Sequence, residues 1–194
     1  MTLILGQLAP DGSAHVVADR AMRVFGTYTM SVGLPKVWHP SPRLILGVAG
    51  TTSWSEAVRA WRVPDFARDV HGLDLLRLCA ADLAELAPKG ATCAGLLATL
   101  GAIYPFQLGE GRDVAPMIPA DGTGAVGSGA LAALAAMRAY GSMQTAPLRL
   151  LGAARITAEL QPGDVAGPFD LLSVEANASA ISAADSQVTK LMPP

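Results

Sequence analysis

Apolar and polar residues alternate in short runs from the first positions, and the runs are separated by residues that turn a chain. "TLILGQL" (2–8) reads as a strand, "APDGS" as a turn and "AHVVAD" (14–19) as a second strand. Asp-Gly between two such runs is a hairpin signal. "TYTMSV" and "PKVWH" are short strand candidates, the latter followed by the turn "PSP". "RLILGVAG" (43–50) is strongly apolar, as expected of a strand buried on both faces. It ends in Gly50, and "TTSWSEAVRAW" then has helical spacing. Thr51, Thr52 or Ser53 can cap this helix, and Glu56 stands three after Ser53, as in a capping box.

"LDLLRLCAADLAELA" (73–87) is the clearest amphipathic helix, with Leu75, Leu76, Leu78, Cys79, Leu83 and Leu86 on its apolar face and Pro88 as its stop. The next stretch, "GATCAGLLATLGAIYPFQLG" (90–109), carries no charge and is long enough to span a bilayer. Gly95, Gly101 and Pro105 punctuate it, and Thr92, Thr99 and Gln107 dilute it, so two buried strands joined at "TLGA" fit better. Two or three strands are expected between Ala91 and Pro119. "GTGAVGSG" (122–129) reads as a glycine-rich strand end running into the helix "ALAALAAMRAY". A further helix is expected from Pro147 to about Leu160, since proline suits a first helical turn. "GPFDLLSVEA" is a late strand. The chain from Asn177 is small and polar and reads as a loosely ordered tail, leaving one domain over 1–176. Helices come in two pairs and do not alternate with every strand. That order predicts an α+β fold of antiparallel sheets covered by helix layers.

Composition adds limits. The chain has 194 residues, enough for a sizeable core. It is 51% hydrophobic but only 15% charged, which implies apolar surface buried in a large core and against partner subunits. A net charge of −2 supplies no field for nucleic acid or anionic lipid. Cys79 and Cys93 are too few for a disulfide framework or a zinc site, which fits a reducing, cytoplasmic compartment. The start lacks a basic leader, so no secretory signal is expected. His15, His39 and His71 show no spacing for joint ligation, and "GTGAVGSG" lacks the Gly-Lys-Ser/Thr of a phosphate loop. No metal or cofactor is expected.

The candidate chemistry sits at the start. If Met1 is removed, Thr2 holds a free α-amine and a β-hydroxyl on one residue. An α-amine of ordinary pKa near 7.7–8.0 is partly neutral at physiological pH and can serve as base for its own hydroxyl. A cation nearby would favour the alkoxide. Lys36 stands in a strand candidate in apolar surroundings, where a lysine is costly unless paired, and Asp19 at the end of "AHVVAD" is its natural partner. Backbone N–H groups at Gly50 and Thr51, where a strand turns into a helix, are candidate oxyanion donors.

Five short motifs, "MTLILG", "VVADR", "PKVW", "VAGTTS" and "GSGALA", occur in an order and spacing that resemble the proteasome β-subunit family, closest to HslV-type peptidases and their small bacterial and phage relatives. The resemblance implies a four-layer αββα sandwich, the Ntn-hydrolase fold, and a threonine-type endopeptidase. It implies roles by position: Thr2 as nucleophile and base, Asp19 orienting Lys36, Lys36 lowering the proton affinity of the hydroxyl. Gly50 would donate to the oxyanion and Ser128 would bond near the Thr2 amine. The family's late Asp is matched by Asp164 in "GDVAG", without the Ser that normally follows and at a different spacing. The resemblance also implies peptide or unfolded-protein substrates and self-association into rings, and leaves an ATP-dependent unfoldase partner open. Two alternatives keep the fold: an Ntn amidase acting on small amides, and a catalytically silent assembly or scaffold protein.

Overall fold

Two antiparallel sheets lie face to face, and each buries its outer surface under a helix pair. The computed structural model describes residues 2–24, 28–30, 34–67, 70–87, 93–108, 114–116, 121–141 and 144–176. The tail expected from Asn177 lies outside the described residues.

The first sheet contains β1 (Ile4–Leu8), β2 (Ala14–Asp19), β10 (Thr123–Val126) and β11 (Phe169–Val174), in the order β10-β1-β2-β11. The second contains β5 (Val37–Ser41), β6 (Leu44–Ala49), β7 (Cys93–Thr99), β8 (Ala102–Leu108) and β9 (Val114–Pro116), in sequence order. A separate ribbon pairs β3 (Met22–Val24) with β4 (Tyr28–Met30). All pairings are antiparallel.

The period-2 geometry of a strand sorts the side chains into layers. Ile4, Val16 and Ala18 point between the sheets, where they meet Ile45, Leu96 and Ile103. Their neighbours Leu3, Leu5 and Val17 point the other way, onto α3 (Ala130–Tyr140) and α4 (Ala146–Leu160). On the far side, Leu44, Leu46, Leu97 and Phe106 pack under α1 (Thr52–Arg59) and α2 (Gly72–Glu85). This is the αββα sandwich. It explains why 2–8 and 43–50 are apolar without alternation, since both faces of each central strand are covered. Each fully buried aliphatic side chain contributes about 1.5–3 kcal/mol.

Some sequence expectations hold and others need correction. Within the uncharged stretch 90–109, residues 93–108 form the β7–β8 hairpin turning at Leu100 and Gly101, as expected, and among the described residues no helix is long and apolar enough to cross a membrane. On α2 the buried stripe is Leu75, Leu76, Cys79, Ala80, Leu83 and Ala84. Leu78 falls off that stripe and Leu86 sits at the C-cap beyond it; each is 40% exposed. The cap of α1 is Thr51, whose hydroxyl accepts the Trp54 N–H, and not Ser53. Strand β5 runs through "PS" to Ser41 across a register shift, and β3 had no signal in the sequence.

Glycines let the sheets approach closely: a Cβ on Gly124 would lie 2.5 Å from Pro105 Cγ, and Gly47 plays the same part beside Ile4. A Cβ on Gly47 would lie 2.7 Å from Ile4 Cγ2. The bare backbone there lets β1 settle onto β6 and brings the segment before Ile4 down to the segment before Val37.

Candidate active site

Antiparallel pairing of β1 with β2 puts the start of one strand beside the end of the other. Ile4 faces Ala18, and the Asp19 N–H donates to the Leu3 carbonyl at 3.1 Å. Thr2 and Asp19 therefore stand at the same corner of the first sheet. Both are buried, Asp19 completely.

The Asp19 carboxylate is fully engaged. Its Oδ1 accepts the Leu3 N–H at 2.7 Å and the Lys36 ammonium at 2.8 Å, and its Oδ2 accepts the Ala21 N–H at 3.1 Å. Lys36 comes from the second sheet, where its carbonyl accepts the Val48 N–H at 3.0 Å. One carboxylate oxygen thus joins the ammonium to the peptide link that follows Thr2. The Lys36 side chain is only 15% exposed. Burial pushes its pKa below the ordinary lysine value, and the attraction and hydrogen bond of Asp19 act in the opposite direction.

The "GSG" segment closes over Thr2 from the other side. The Thr2 N–H donates to Ser128 Oγ at 3.3 Å, and the Gly129 N–H donates to the Thr2 carbonyl at 3.3 Å. Gly127 has φ +100°, and a Cβ there would sit 2.1 Å from the Thr2 carbonyl oxygen. Only glycine permits that approach.

Gly50 ends β6 at φ +150°, two residues past the Val48 that bonds Lys36, so it borders the same corner. The Thr51 N–H and hydroxyl both turn toward the Cys93 sulfur. Asp164 lies in the turn after α4, its N–H bonded to the Gln161 carbonyl at 2.9 Å. It reaches the neighbourhood through Val165, which a Cβ on Gly129 would meet at 2.7 Å.

Other groups were not singled out in the sequence. Arg20 grips Asp170 of β11 with two hydrogen bonds of 2.8 and 2.5 Å, which ties the residue after Asp19 to the neighbouring strand. Arg59 reaches the Pro35 carbonyl at 2.5 Å. Cys93 backs the Gly50–Thr51 turn. Each joins residues far apart in the chain, and no local pattern marks such a contact.

The remaining nucleophile and ligand candidates are placed elsewhere. Burial, helped by Asp82, pushes the Cys79 thiol up to about 12, and burial raises Cys93 as well, so neither is a thiolate at neutral pH. His15 bonds Ser173 Oγ at 2.7 Å, His39 donates to the Leu44 carbonyl at 3.2 Å, and Arg43 donates to His71 at 3.3 Å. Among the described residues no group of three or more His, Cys, Asp or Glu could hold a metal ion.

No protein-family model and no curated protein sequence matches this chain. Solved structures do. HslV from Trypanosoma brucei superposes with a TM-score of 0.66 at 19% identity, over 89% of this chain and 98% of that one. BPH from Thiobacillus denitrificans, in complex with epoxomicin, gives 0.63 at 17% identity, over 90% and 98%. BPH solved without that compound gives 0.62 at 17% identity, over the same shares. The chain thus has the αββα fold of HslV and BPH, the architecture implied by its resemblance to proteasome β-subunits.

Proposed function

We propose that this protein is a threonine-type N-terminal nucleophile peptidase whose nucleophile is Thr2, freed by removal of Met1. The observation that carries the reading is the shared Asp19 oxygen, which fixes the Lys36 ammonium against the Thr2–Leu3 peptide inside a buried corner.

The chemistry follows from that arrangement. The neutral α-amine of Thr2 takes the hydroxyl proton, directly or through one water, as Oγ attacks the scissile carbonyl carbon. The Lys36 ammonium stabilises the developing alkoxide. The Gly50 N–H donates to the oxyanion of the tetrahedral intermediate. Ser128 accepts from the Thr2 nitrogen and orients its lone pair. Collapse of the intermediate breaks the C–N bond, and the protonated α-amine returns its proton to the departing peptide amine. An ester on Thr2 remains. Water, deprotonated by the same amine, attacks that ester and releases the acid. Asp164, next to the Val165 that packs against Gly129, would support the "GSG" turn.

Ring self-association in the cytoplasm, with unfolded polypeptide as substrate, belongs to the same reading. The exposed Leu131 (83%), Leu160 (68%) and Leu148 (57%) on α3 and α4 are apolar surface that assembly would cover.

Intact mass spectrometry should show loss of one methionine, and a peptide epoxyketone of the epoxomicin class should add a single inhibitor mass at Thr2. Thr2→Ala should abolish both labelling and peptide hydrolysis while the fold and assembly persist. Undiminished hydrolysis in Thr2→Ala removes the mechanism, and a retained Met1 with no labelling favours the silent scaffold. Hydrolysis of acyl-amides but not peptides favours the amidase.

A further inference from the structure

We propose that Arg59, at the C-terminal end of α1, is a positioning residue for Lys36: it clamps the backbone on either side of that lysine so that the ammonium stays at Asp19. The role of Lys36 in turnover rests on the function proposed above; the clamp itself does not.

Arg59 makes two contacts that bracket Lys36. Its Nη2 donates to the Pro35 carbonyl at 2.5 Å, one residue before Lys36. Its guanidinium carbon lies 5.4 Å from the centre of the Trp38 ring, two residues after it. The planar guanidinium can offer its edge to a carbonyl and its face to an indole at the same time. An ammonium on a flexible stem can do one or the other. Lysine cannot replace it in both contacts.

The arginine takes this position at a cost. It is half-buried, its Nε is buried with no hydrogen-bond partner among the described residues, and burial pulls its pKa below the ordinary guanidinium value. A solubilising arginine at a helix end would extend into water. This one folds inward, where the C-terminal helix dipole and the Trp38 face compensate it in part.

Placement gives the clamp its consequence. The Lys36 stem is four carbons long, so its ammonium goes where the backbone sends it. The Lys36 carbonyl is pinned to Val48 on one edge, and Arg59 pins Pro35 beside it. Helix α1 begins at the Thr51 cap, directly after Gly50, and ends at Arg59. One short helix therefore carries the oxyanion loop at one end and the lysine clamp at the other, so a shift of either end is felt by both.

The test reads Lys36 directly and does not depend on turnover. The chain has three lysines, Lys36, Lys89 and Lys190. With carbon-13 at the lysine Cε, a pH titration by NMR resolves them, and loss of one signal in Lys36→Met assigns the first. In the wild type Lys36 should titrate below an ordinary lysine, because burial outweighs the pull of Asp19. In Arg59→Met its titration should move up toward the ordinary value as the ammonium reaches water. Arg59→Lys, which keeps the positive charge, should move it the same way by a smaller amount, which separates clamping from simple charge removal. For hydrolysis, Arg59→Met should lower kcat at least tenfold with KM changed less than twofold, and should shift the pH profile of kcat/KM. An unchanged Lys36 titration in folded Arg59→Met overturns the clamp. If Arg59→Met does not fold, an unchanged titration in Arg59→Lys overturns it equally. A wild type without peptidase activity but with the expected titration shifts defeats the function reading and leaves the clamp standing.

Discussion

Asp19→Asn removes one charge from a fully buried carboxylate and keeps its shape. An asparagine oxygen can still accept from Leu3 N–H and from Lys36, the two partners of Oδ1. Its amide nitrogen then faces the Ala21 N–H that Oδ2 accepted, donor against donor. The Lys36 ammonium loses its counter-charge at a site only 15% exposed. Removing one member of a buried pair costs about 3–5 kcal/mol. An independent ceiling agrees: the lysine can shed its proton, at about 1.4 kcal/mol for each unit between pH 7 and its ordinary value near 10.4, or about 5 kcal/mol in all. In a domain of this size each kcal/mol moves Tm by about 2–4 °C, so the variant should melt roughly 10 °C lower at pH 7. The sign with pH follows by linkage. In the variant the folded pKa of Lys36 lies still further below its unfolded value. The unfolded chain then binds more protons, and stability rises with pH across that window. The deficit against wild type should narrow as pH climbs from 7 to 10. Thermal unfolding by circular dichroism measures both effects, with Asp74→Asn as control for an exposed pair with Arg77. A variant that melts within 2 °C of wild type at pH 7, or a deficit that stays flat to pH 10, refutes the buried pair as the organiser of this corner (thresholds on the order of the resolution of such melts).

Two further outcomes are expected. Gly127→Ala should cost on the order of 3 kcal/mol or more, because it combines an unfavourable φ with a Cβ driven into the Thr2 carbonyl. Gly101→Ala, at φ +75° with open space around it, carries the backbone strain alone, so equal melting losses in the two variants would show that contact with Thr2 is unimportant. His15 is buried on Ser173, and burial lowers its pKa while Glu175 and Asp11 oppose. A folded pKa below the unfolded 6.5 means that protons bind the unfolded chain first. Stability should therefore fall below about pH 6.5, by up to about 1.4 kcal/mol per unit until the folded pKa is reached. Urea midpoints from pH 7 to 5 should show a shallower decline in His15→Gln, and identical slopes in the two proteins would exclude this histidine as the source.

The layering of the fold was legible because burial on two faces leaves a mark in composition. Strands such as Leu44–Ala49 carry no polar residue on either side of the pleat, and helices arrive in pairs. What could not be read locally is where an element stops. Strand β5 continues into the turn-like "PSP" because Ser41 still pairs with Leu44, and Leu78 looks apolar enough for the core yet falls off the stripe that α2 buries. The corner itself was half legible. Asp19 and Lys36 could be linked on cost alone, since each is expensive to bury unpaired. Arg59, Cys93 and the Arg20–Asp170 grip left no such mark, because each joins segments far apart in the chain that only the folded sheets and helices bring near.

The same contrast bears on how the corner is built. The ionic residues there are few, and what fixes them is mostly missing side-chain volume. Gly47 lets Ile4 settle between the sheets beside Val37, the residue after Lys36. Gly127 lets the "GSG" turn close on the Thr2 carbonyl from the opposite side. Between these two bare backbones, one oxygen of Asp19 can serve Leu3 and Lys36 together. A methyl group at either glycine would leave every ionisable residue in place and still separate them. The geometry therefore depends on sheet spacing at least as much as on charge. On the proposed function, reactivity at Thr2 should accordingly be lost in Gly47→Ala at temperatures where that variant remains folded. Retained epoxyketone labelling in folded Gly47→Ala would show that the corner tolerates a wider gap than its hydrogen bonds allow.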